Sequence, residues 1–269
     1  MKQKGGAMDI QSLFQKIPTD LGQEHYEFSH HYAHNSMLGR ISVEEITEED
    51  DLFLTLTFPP SISLHPSEYG EAVEIISKQL KKLLPEKTKR PVLVIGLGNP
   101  RVTVDSFGHE VVKMITATAH LKKDGLCLYT PDVTENSGIP TIDAILSLVR
   151  CVTPRAVIVI DSLCARSSKR LGNTLQFSNT SISPGSGIRR SKMHLSKSTL
   201  GVPVVVIGMP TIVSTASLIL ETLSNTTDAS LPNDVEQLIN DHAFYVSPND
   251  IDISILRAAA LLGDAINLI

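Results

Sequence analysis

The sequence predicts an α/β fold that is layered around a mainly parallel sheet. From Pro91 onward, short apolar runs alternate with amphipathic segments, which is the pattern of repeated strand and helix units. Two of the runs, "AVIVI" and "VPVVVIG", contain no polar side chain, as expected of strands that are covered on both faces. The chain of 269 residues is long enough to bury one large core.

Ahead of Pro91, the sequence predicts two strands followed by a helix. The segments "MLGRISVEEIT" and "DLFLTLTF" alternate apolar and polar residues, and the acidic residues between them favour a hairpin. Three prolines then interrupt the strand pattern. The segment "EYGEAVEIISKQLKKLL" predicts an amphipathic helix because its apolar residues recur at helical spacing.

After Pro91, the predicted strands and helices alternate along the chain. The predicted strands are 92–95, 126–129, 157–160 and 204–207. The predicted helices are 108–120, 141–149, 216–223, 235–242 and 248–268. We find no internal repeat, so the whole region is expected to form one domain.

Composition excludes several classes of function. The net charge of −5 gives no global positive field for nucleic acid, and aromatic residues, the usual stacking platforms for single strands, make up only 4% of the chain. No apolar run is long enough to cross a bilayer. The three cysteines have no metal-ligand spacing and lie in or beside apolar segments, so we interpret them as reduced core residues of a cytoplasmic protein.

Two aspartates follow predicted strands of the parallel sheet. "VLVIG" leads through a glycine turn to Asp105, and "AVIVID" ends on Asp161. Because function gathers beyond the carboxyl ends of parallel strands, we expect these carboxylates to meet at one edge. A close pair of carboxylates can hold one shared proton and so serve as base toward water and acid toward a carbonyl. The alternative is that Asp105 caps the following helix and Asp161 ends its strand in a turn.

A later segment, "NTSISPGSGIRRSKMHLSKSTLG", is rich in glycine, serine and basic residues. Its "SPGSGIRR" portion could wrap a substrate backbone or an anion with main-chain amides. The alternative is an ordinary surface loop with a solvated basic patch.

The "GLGNP" string at residues 96–100 allows three interpretations. A dinucleotide fingerprint requires a third glycine, and Arg101 stands in its place. The string is also similar to the start of peptidyl-tRNA hydrolases, but there a His–Asn pair follows shortly after, whereas His109 precedes Glu110 here.

The third interpretation accounts for far more of the chain. The segments "GLGN…VTVDSFG…VV", "VIDSLCARS", "NTLQFSNTSISPGSG", "TLGVPVVVIGMPTIV" and "FYVSPNDID" occur in the order found in germination proteases of endospore-forming bacteria. The chain therefore resembles that family from Pro91 to its end, and more weakly at "IPTDLGQE". The resemblance implies an endopeptidase that degrades small acid-soluble spore proteins in the spore core during germination.

The resemblance also implies an atypical aspartic mechanism with two essential aspartates, which correspond to Asp105 and Asp161. It implies a three-layer α/β/α fold like that of hydrogenase-maturation proteases, in which matching carboxylates bind nickel with help from a histidine. Gly185 stands where that histidine is expected, so we predict that the chain uses no metal and no cofactor. One alternative is a metal-dependent protease of the maturation type, for which His109 and His194 are candidate ligands. Another is a catalytically silent binding protein of the same fold.

Five further residues are predicted to shape the site. Gly98 and Asn99 would form the turn that presents Asp105, and Ser186 and Gly187 would line the substrate path with backbone amides. Arg166 would hold the loop after Asp161 by its charge, unless it is a solvated surface arginine.

Family resemblance further implies a homotetramer and a zymogen that removes its own N-terminal segment. "PTDLG" places the expected self-cleavage between Asp20 and Leu21, which divides the chain into a propeptide-like segment, 1–20, and a single α/β peptidase domain, 21–269.

The chain also departs from the family pattern near the predicted site. Val104 replaces a proline, His109 replaces another, Ala119 replaces an arginine, and the loop 131–138 has lost glycines. These departures put the substrate range and the control of the zymogen in question.

Overall fold

The computed structural model describes residues 32–182, 194–224 and 244–269. Within these residues, nine strands form one sheet. The strands are β1 (Tyr32–Leu38), β2 (Ile41–Glu48), β3 (Asp51–Thr57), β4 (Val92–Gly96), β5 (Leu126–Tyr129), β6 (Ala156–Ala165), β7 (Thr174–Ser178), β8 (Val204–Ser214) and β9 (Tyr245–Val246). Their order in the sheet is β1-β2-β3-β7-β8-β6-β4-β5, and β9 pairs with β8.

The four strands predicted after Pro91 form the parallel part of this sheet. β5, β4, β6 and β8 pair side by side in parallel, with Gly96 opposite Ile160 and Asp161 opposite Gly208. The remaining strands extend the sheet by antiparallel pairing: β7 lies beside β8, and the predicted hairpin of β2 and β3 lies beyond β7. β1 adds a third N-terminal strand that the sequence did not predict, and β9 pairs with the end of β8. The predicted α/β class is confirmed, and all four parallel strands are among those that the sequence predicted.

Seven α-helices occur in the described part of the chain. They are α1 (Pro66–Leu83), α2 (Phe107–Lys113), α3 (Thr134–Ser137), α4 (Thr141–Val152), α5 (Lys197–Leu200), α6 (Thr215–Ser224) and α7 (Ile251–Asn267). The predicted helix 235–242 lies outside the described residues.

Helices cover both faces of the sheet, so the fold has the three layers that the family resemblance implied. On one face, α1, α2 and α7 bury apolar side chains against the sheet, including Phe107 and Leu262. On the other face, α4 and α5 contribute Ile145 and Leu200 to a second cluster. Successive residues of β4 alternate between the two clusters because side chains of a strand point to opposite faces in turn.

Three predicted element lengths and one predicted environment are wrong. Helix α2 ends at Lys113 instead of residue 120, because the Asn267 side chain of α7 bonds the Met114 carbonyl oxygen (3.1 Å) and the Thr116 N–H (2.9 Å). β6 continues to Ala165 and β8 to Ser214, instead of ending at residues 160 and 207, because the two strands pair with each other along the added length. Cys151 is exposed near the end of α4 and is not a core residue.

Candidate active site at the carboxyl edge of the parallel strands

The glycine turn after β4 folds back onto Asp105. The turn starts against β6, where the Leu97 N–H donates to the Ile160 carbonyl oxygen at 2.8 Å. Gly98 then adopts a φ of +101°, and a Cβ at this position would overlap the carbonyl oxygen of Asp105. Only glycine combines this backbone conformation with so close an approach.

The Asp105 carboxylate is held by the same turn. It lies at the end of a 3₁₀ turn, Thr103–Asp105, and is half-buried. The backbone N–H of Asn99 donates to Asp105 Oδ2 at 2.8 Å, and Asn99 Oδ1 accepts from the Arg101 N–H at 3.0 Å. Gly98 and Asn99 therefore both contact the predicted catalytic residue directly.

The alternative role of Asp105 as a helix cap does not fit this geometry. The N-cap of α2 is Ser106, and the helix begins at Phe107. Asp105 precedes the cap, and its carboxylate oxygen faces the amide of the glycine turn instead.

Asp161 lies within β6 and not at its end, which corrects the sequence prediction. β4 stops opposite Ile160, so Asp161 is the first residue of β6 that extends past the end of its neighbour. The side chain is only 5% exposed, and its Oδ1 accepts the backbone N–H of Ser162 at 2.9 Å. Asp161 thus lies at the carboxyl edge of the parallel sheet because β6 is longer than its neighbour β4.

Contacts between flanking residues join the two aspartate segments. The Phe107 N–H faces Ser162 Oγ at 3.4 Å, a long hydrogen bond that connects the start of α2 to the residue after Asp161. Gly108 lies so close to β6 that a Cβ there would overlap the Ile160 carbonyl oxygen. Thr211 of β8 donates its hydroxyl to the Val104 carbonyl oxygen at 2.6 Å. Both aspartates are therefore carried by segments that meet at one edge of the sheet.

His109 supports the glycine turn from α2. Its side chain is 8% exposed, and its Nε2 lies 3.0 Å from the Gly98 carbonyl oxygen. A carbonyl can only accept, so the imidazole donates from Nε2. Burial lowers the pKa of His109 below its ordinary value, which favours this neutral form. The sequence marked His109 as a departure from the family and as a candidate metal ligand, but not as a support of the turn, because nothing in the local pattern relates it to Gly98.

The loop after β6 is held by a glutamate that the sequence did not single out. Glu221 of α6 accepts from the Ser167 hydroxyl at 2.6 Å and from the Ser168 N–H at 2.9 Å. Burial opposes the ionisation of Glu221, but these hydrogen bonds outweigh it and lower its pKa. Arg166 is half-buried directly after β6, and its action on the Asp161 loop stays a prediction.

The other predicted site residues cannot be placed in this geometry. Ser186 and Gly187, together with Asp20 and Leu21, lie outside the described residues. Within the part of the chain that the structure describes, no three histidine, cysteine or acidic side chains are grouped so that they could hold a metal ion. None of the helices described above is both long and apolar enough to cross a membrane.

Fold and site together define a three-layer α/β protein with two aspartates at the carboxyl edge of its parallel strands. A family model described as germination protease matches residues 37–231, which is more than half of the chain. The chain therefore belongs to the germination protease family, as its sequence motifs predicted, and it is a peptidase, that is, a hydrolase of peptide bonds.

Individual relatives show the extent of the similarity. A germination protease of Clostridium perfringens (strain ATCC 13124) is 28% identical over 307 aligned positions, which cover 94% of this chain and 94% of the relative. One from Clostridium acetobutylicum is 35% identical over 194 positions, covering 67% of this chain and 59% of the relative. Among solved structures, the NiFe hydrogenase maturation protease HycI from Thermococcus kodakarensis KOD1 matches with a TM-score of 0.39 and 16% identity, over 70% of this chain and 98% of that chain.

Proposed function

We propose that the chain is an aspartic-type endopeptidase that hydrolyses small acid-soluble spore proteins in the spore core during germination. Membership of the germination protease family supports the peptidase activity and its link to germination. The observation that supports the mechanism is that the segments carrying Asp105 and Asp161 meet at one sheet edge, through contacts of the residues that flank them. In each segment a backbone amide donates to one carboxylate oxygen.

In this mechanism the two aspartates share one proton. The ionised carboxylate takes a proton from water as the water oxygen attacks the peptide carbonyl carbon. The protonated partner donates to the carbonyl oxygen, and the C–N bond then breaks as a proton passes to the leaving nitrogen. Backbone amides hold one oxygen of each carboxylate and so restrict the orientation of both groups during the reaction. The proposed reaction needs no cofactor, and Ser186 and Gly187 are proposed to hold the substrate backbone.

Cleavage of a purified small acid-soluble spore protein by the wild-type chain tests this function. We expect discrete fragments whose yield is unchanged by a metal chelator, because the carboxylate pair itself activates the water. Loss of cleavage on chelation would instead indicate a metal-dependent peptidase, and absence of cleavage would indicate a binding protein of the same fold. The same incubation, followed by mass spectrometry, is expected to release residues 1–20 by cleavage between Asp20 and Leu21. An N-terminus that stays intact while the spore protein is cut would refute self-processing alone.

The remaining parts of the proposal come from family resemblance. We propose that residues 21–269 form the peptidase domain, that residues 1–20 act as the propeptide, and that the enzyme assembles as a homotetramer. Sedimentation velocity at several protein concentrations would measure the assembly directly.

His109 is expected to act as a positioning residue for the glycine turn. Replacing it in His109→Leu removes the donor to the Gly98 carbonyl oxygen, so we expect kcat to fall by about 10- to 100-fold with KM little changed. His109→Gln keeps an N–H donor and is expected to retain most of the activity. Equal losses of kcat in the two variants would contradict this role.

His109 is also expected to make the stability of the folded protein depend on pH. Because the folded pKa of His109 is lowered from 6.5, the unfolded chain binds more protons just below that pH. The stabilisation is therefore complete above pH 6.5 and is lost as the pH falls through the lower, folded pKa. Glu110 and Lys113 of the same helix and Asp132 after β5 also act on this imidazole. We expect the melting temperature of wild type to fall more than that of His109→Gln when the pH is lowered below 6.5, and parallel pH profiles would contradict the assignment.

A further inference from the structure

A cavity with polar groups in its wall lies at the opposite edge of the parallel sheet from the aspartates. It has a volume of about 250 Å³ and is bordered by the first residues of β4 and β5, by Arg155 just before β6, and by the end of α7. β4 runs from Val92 at this cavity to Gly96 at the aspartate edge, so the length of the strand separates the two sites. A ligand in this cavity would not occupy the substrate position proposed above.

Arg155 is the unusual residue in the wall of the cavity. The residue is 8% exposed, and its guanidinium donates from Nη1 to the Pro85 carbonyl oxygen at 2.7 Å. Its Nε is buried and has no hydrogen-bond partner among the described residues. Buried donors without a partner are rare in folded proteins, and a buried cation that lacks a close anion is costly.

Charges around the guanidinium leave it able to accept an anion. Burial lowers the pKa of Arg155, and the charge of Asp124, which also borders the cavity, partly offsets that effect. Within residues 32–182, 194–224 and 244–269, however, no carboxylate forms an ion pair with Arg155. An arginine stays protonated at neutral pH even when burial lowers its pKa, so the charge persists.

Other groups on the wall are donors of the kind that oxyanions bind. The exposed Lys122 borders the cavity and adds a mobile ammonium group. Thr118 Oγ1 accepts the Leu126 N–H at 2.9 Å, which leaves its own hydroxyl hydrogen to donate elsewhere. A planar guanidinium, an ammonium and a hydroxyl together match the acceptor oxygens of a carboxylate or a phosphate.

We infer that this cavity is a binding site for a small oxyanion, bearing a carboxylate or a phosphate group, which Arg155 holds and Lys122 attracts. The inference rests on the donors of the cavity and not on the aspartates, so its test is independent of the test of the proposed protease mechanism.

Calorimetric titration of the full chain with inorganic phosphate and with acetate tests the inference. The titrations are run at constant ionic strength, and chloride is the reference anion. We expect saturable binding of at least one of the two oxyanions. Comparison of the affinities for phosphate and acetate distinguishes a phosphate site from a carboxylate site. Lys122→Gln is expected to weaken binding about fivefold, and Arg155→Lys by about tenfold or more because it loses the guanidinium fork.

Lys123→Gln provides the matched control, because Lys123 is the exposed neighbour of Lys122 and is not part of the cavity wall. Its affinity for the oxyanion is expected to equal that of wild type. No saturable binding of either anion, or binding that Lys122→Gln weakens no more than Lys123→Gln, would overturn the inference. Lys122 is exposed, so this comparison holds even where an Arg155 variant does not fold.

Discussion

Asp105→Asn and Asp161→Asn are each expected to lower kcat for peptide hydrolysis by about 10³-fold or more, with little change in KM. The reason is that an amide can neither take a proton from water nor hold the shared proton of the pair. Both substitutions keep the shape of the side chain and an oxygen that can accept the backbone N–H, from Asn99 at position 105 and from Ser162 at position 161. The fold should therefore survive, and the loss should lie in the chemical step.

A matched control separates the chemistry from a general effect of lost charge. Asp143 is an exposed aspartate in the first turn of α4, on the face of the sheet opposite α2. Asp143→Asn is expected to leave kcat and KM unchanged. The melting temperatures of all three variants should be close to that of wild type. Differences in kcat would then reflect the chemical step and not a loss of folded protein.

Sharing of a proton also predicts how the two substitutions combine. When two groups act as one unit, removing either one removes the function, so the double variant is expected to be about as inactive as each single variant. Losses that multiply would show two independent contributions instead. Full activity of either single variant would refute the paired-aspartate mechanism outright.

Gly98→Ala is expected to destabilise the fold by about 3 kcal/mol or more and to abolish activity. An added Cβ would overlap the Asp105 carbonyl oxygen, and it would also approach Asp105 Oδ1 at 3.2 Å. The φ of +101° adds a conformational cost for any residue other than glycine. The turn could relieve the overlap only by moving Asp105, so stability and activity should be lost together.

Gly138→Ala is the matched control for this prediction. Gly138 also has a positive φ, +70°, at the end of α3, but no atom lies within 4 Å of an added Cβ. Its substitution should cost only the conformational term, about 1 kcal/mol, and should leave Asp105 where it is, because no atom has to move to admit the Cβ. Chemical denaturation and peptide hydrolysis of both variants check the pair. Equal destabilisation by the two substitutions would show that close contact with Asp105 contributes nothing.

Local pattern in the sequence determined the class of fold and the main catalytic candidates. Apolar runs predicted β4, β6 and β8 because a strand buried on both faces must be apolar at nearly every position. A shorter apolar run predicted the edge strand β5, of which only Leu126 is buried. Parallel pairing of those strands then brings their carboxyl ends to one edge, so two aspartates after two strands could be predicted to share it. Motif order along the chain predicted the family, which the family model confirms.

Tertiary structure alone decided how each carboxylate is supported. Asp161 reaches the edge because β6 is longer than β4. Helix α2 is short because Asn267 of a distant helix bonds Met114 and Thr116, just after its last residue. The hydrogen bonds of Glu221 to the loop after β6 and of Arg155 to the Pro85 carbonyl oxygen likewise join residues far apart in the chain. His109 bonds Gly98 only 11 positions away, but that contact too depends on how α2 packs against the glycine turn. The periodicity of apolar residues predicts which side of a segment is buried and which is exposed to water. Contacts between segments depend instead on which segments the topology places next to each other. The sequence therefore determined which residues could carry the chemistry, and the packing of distant segments decided what holds them in place.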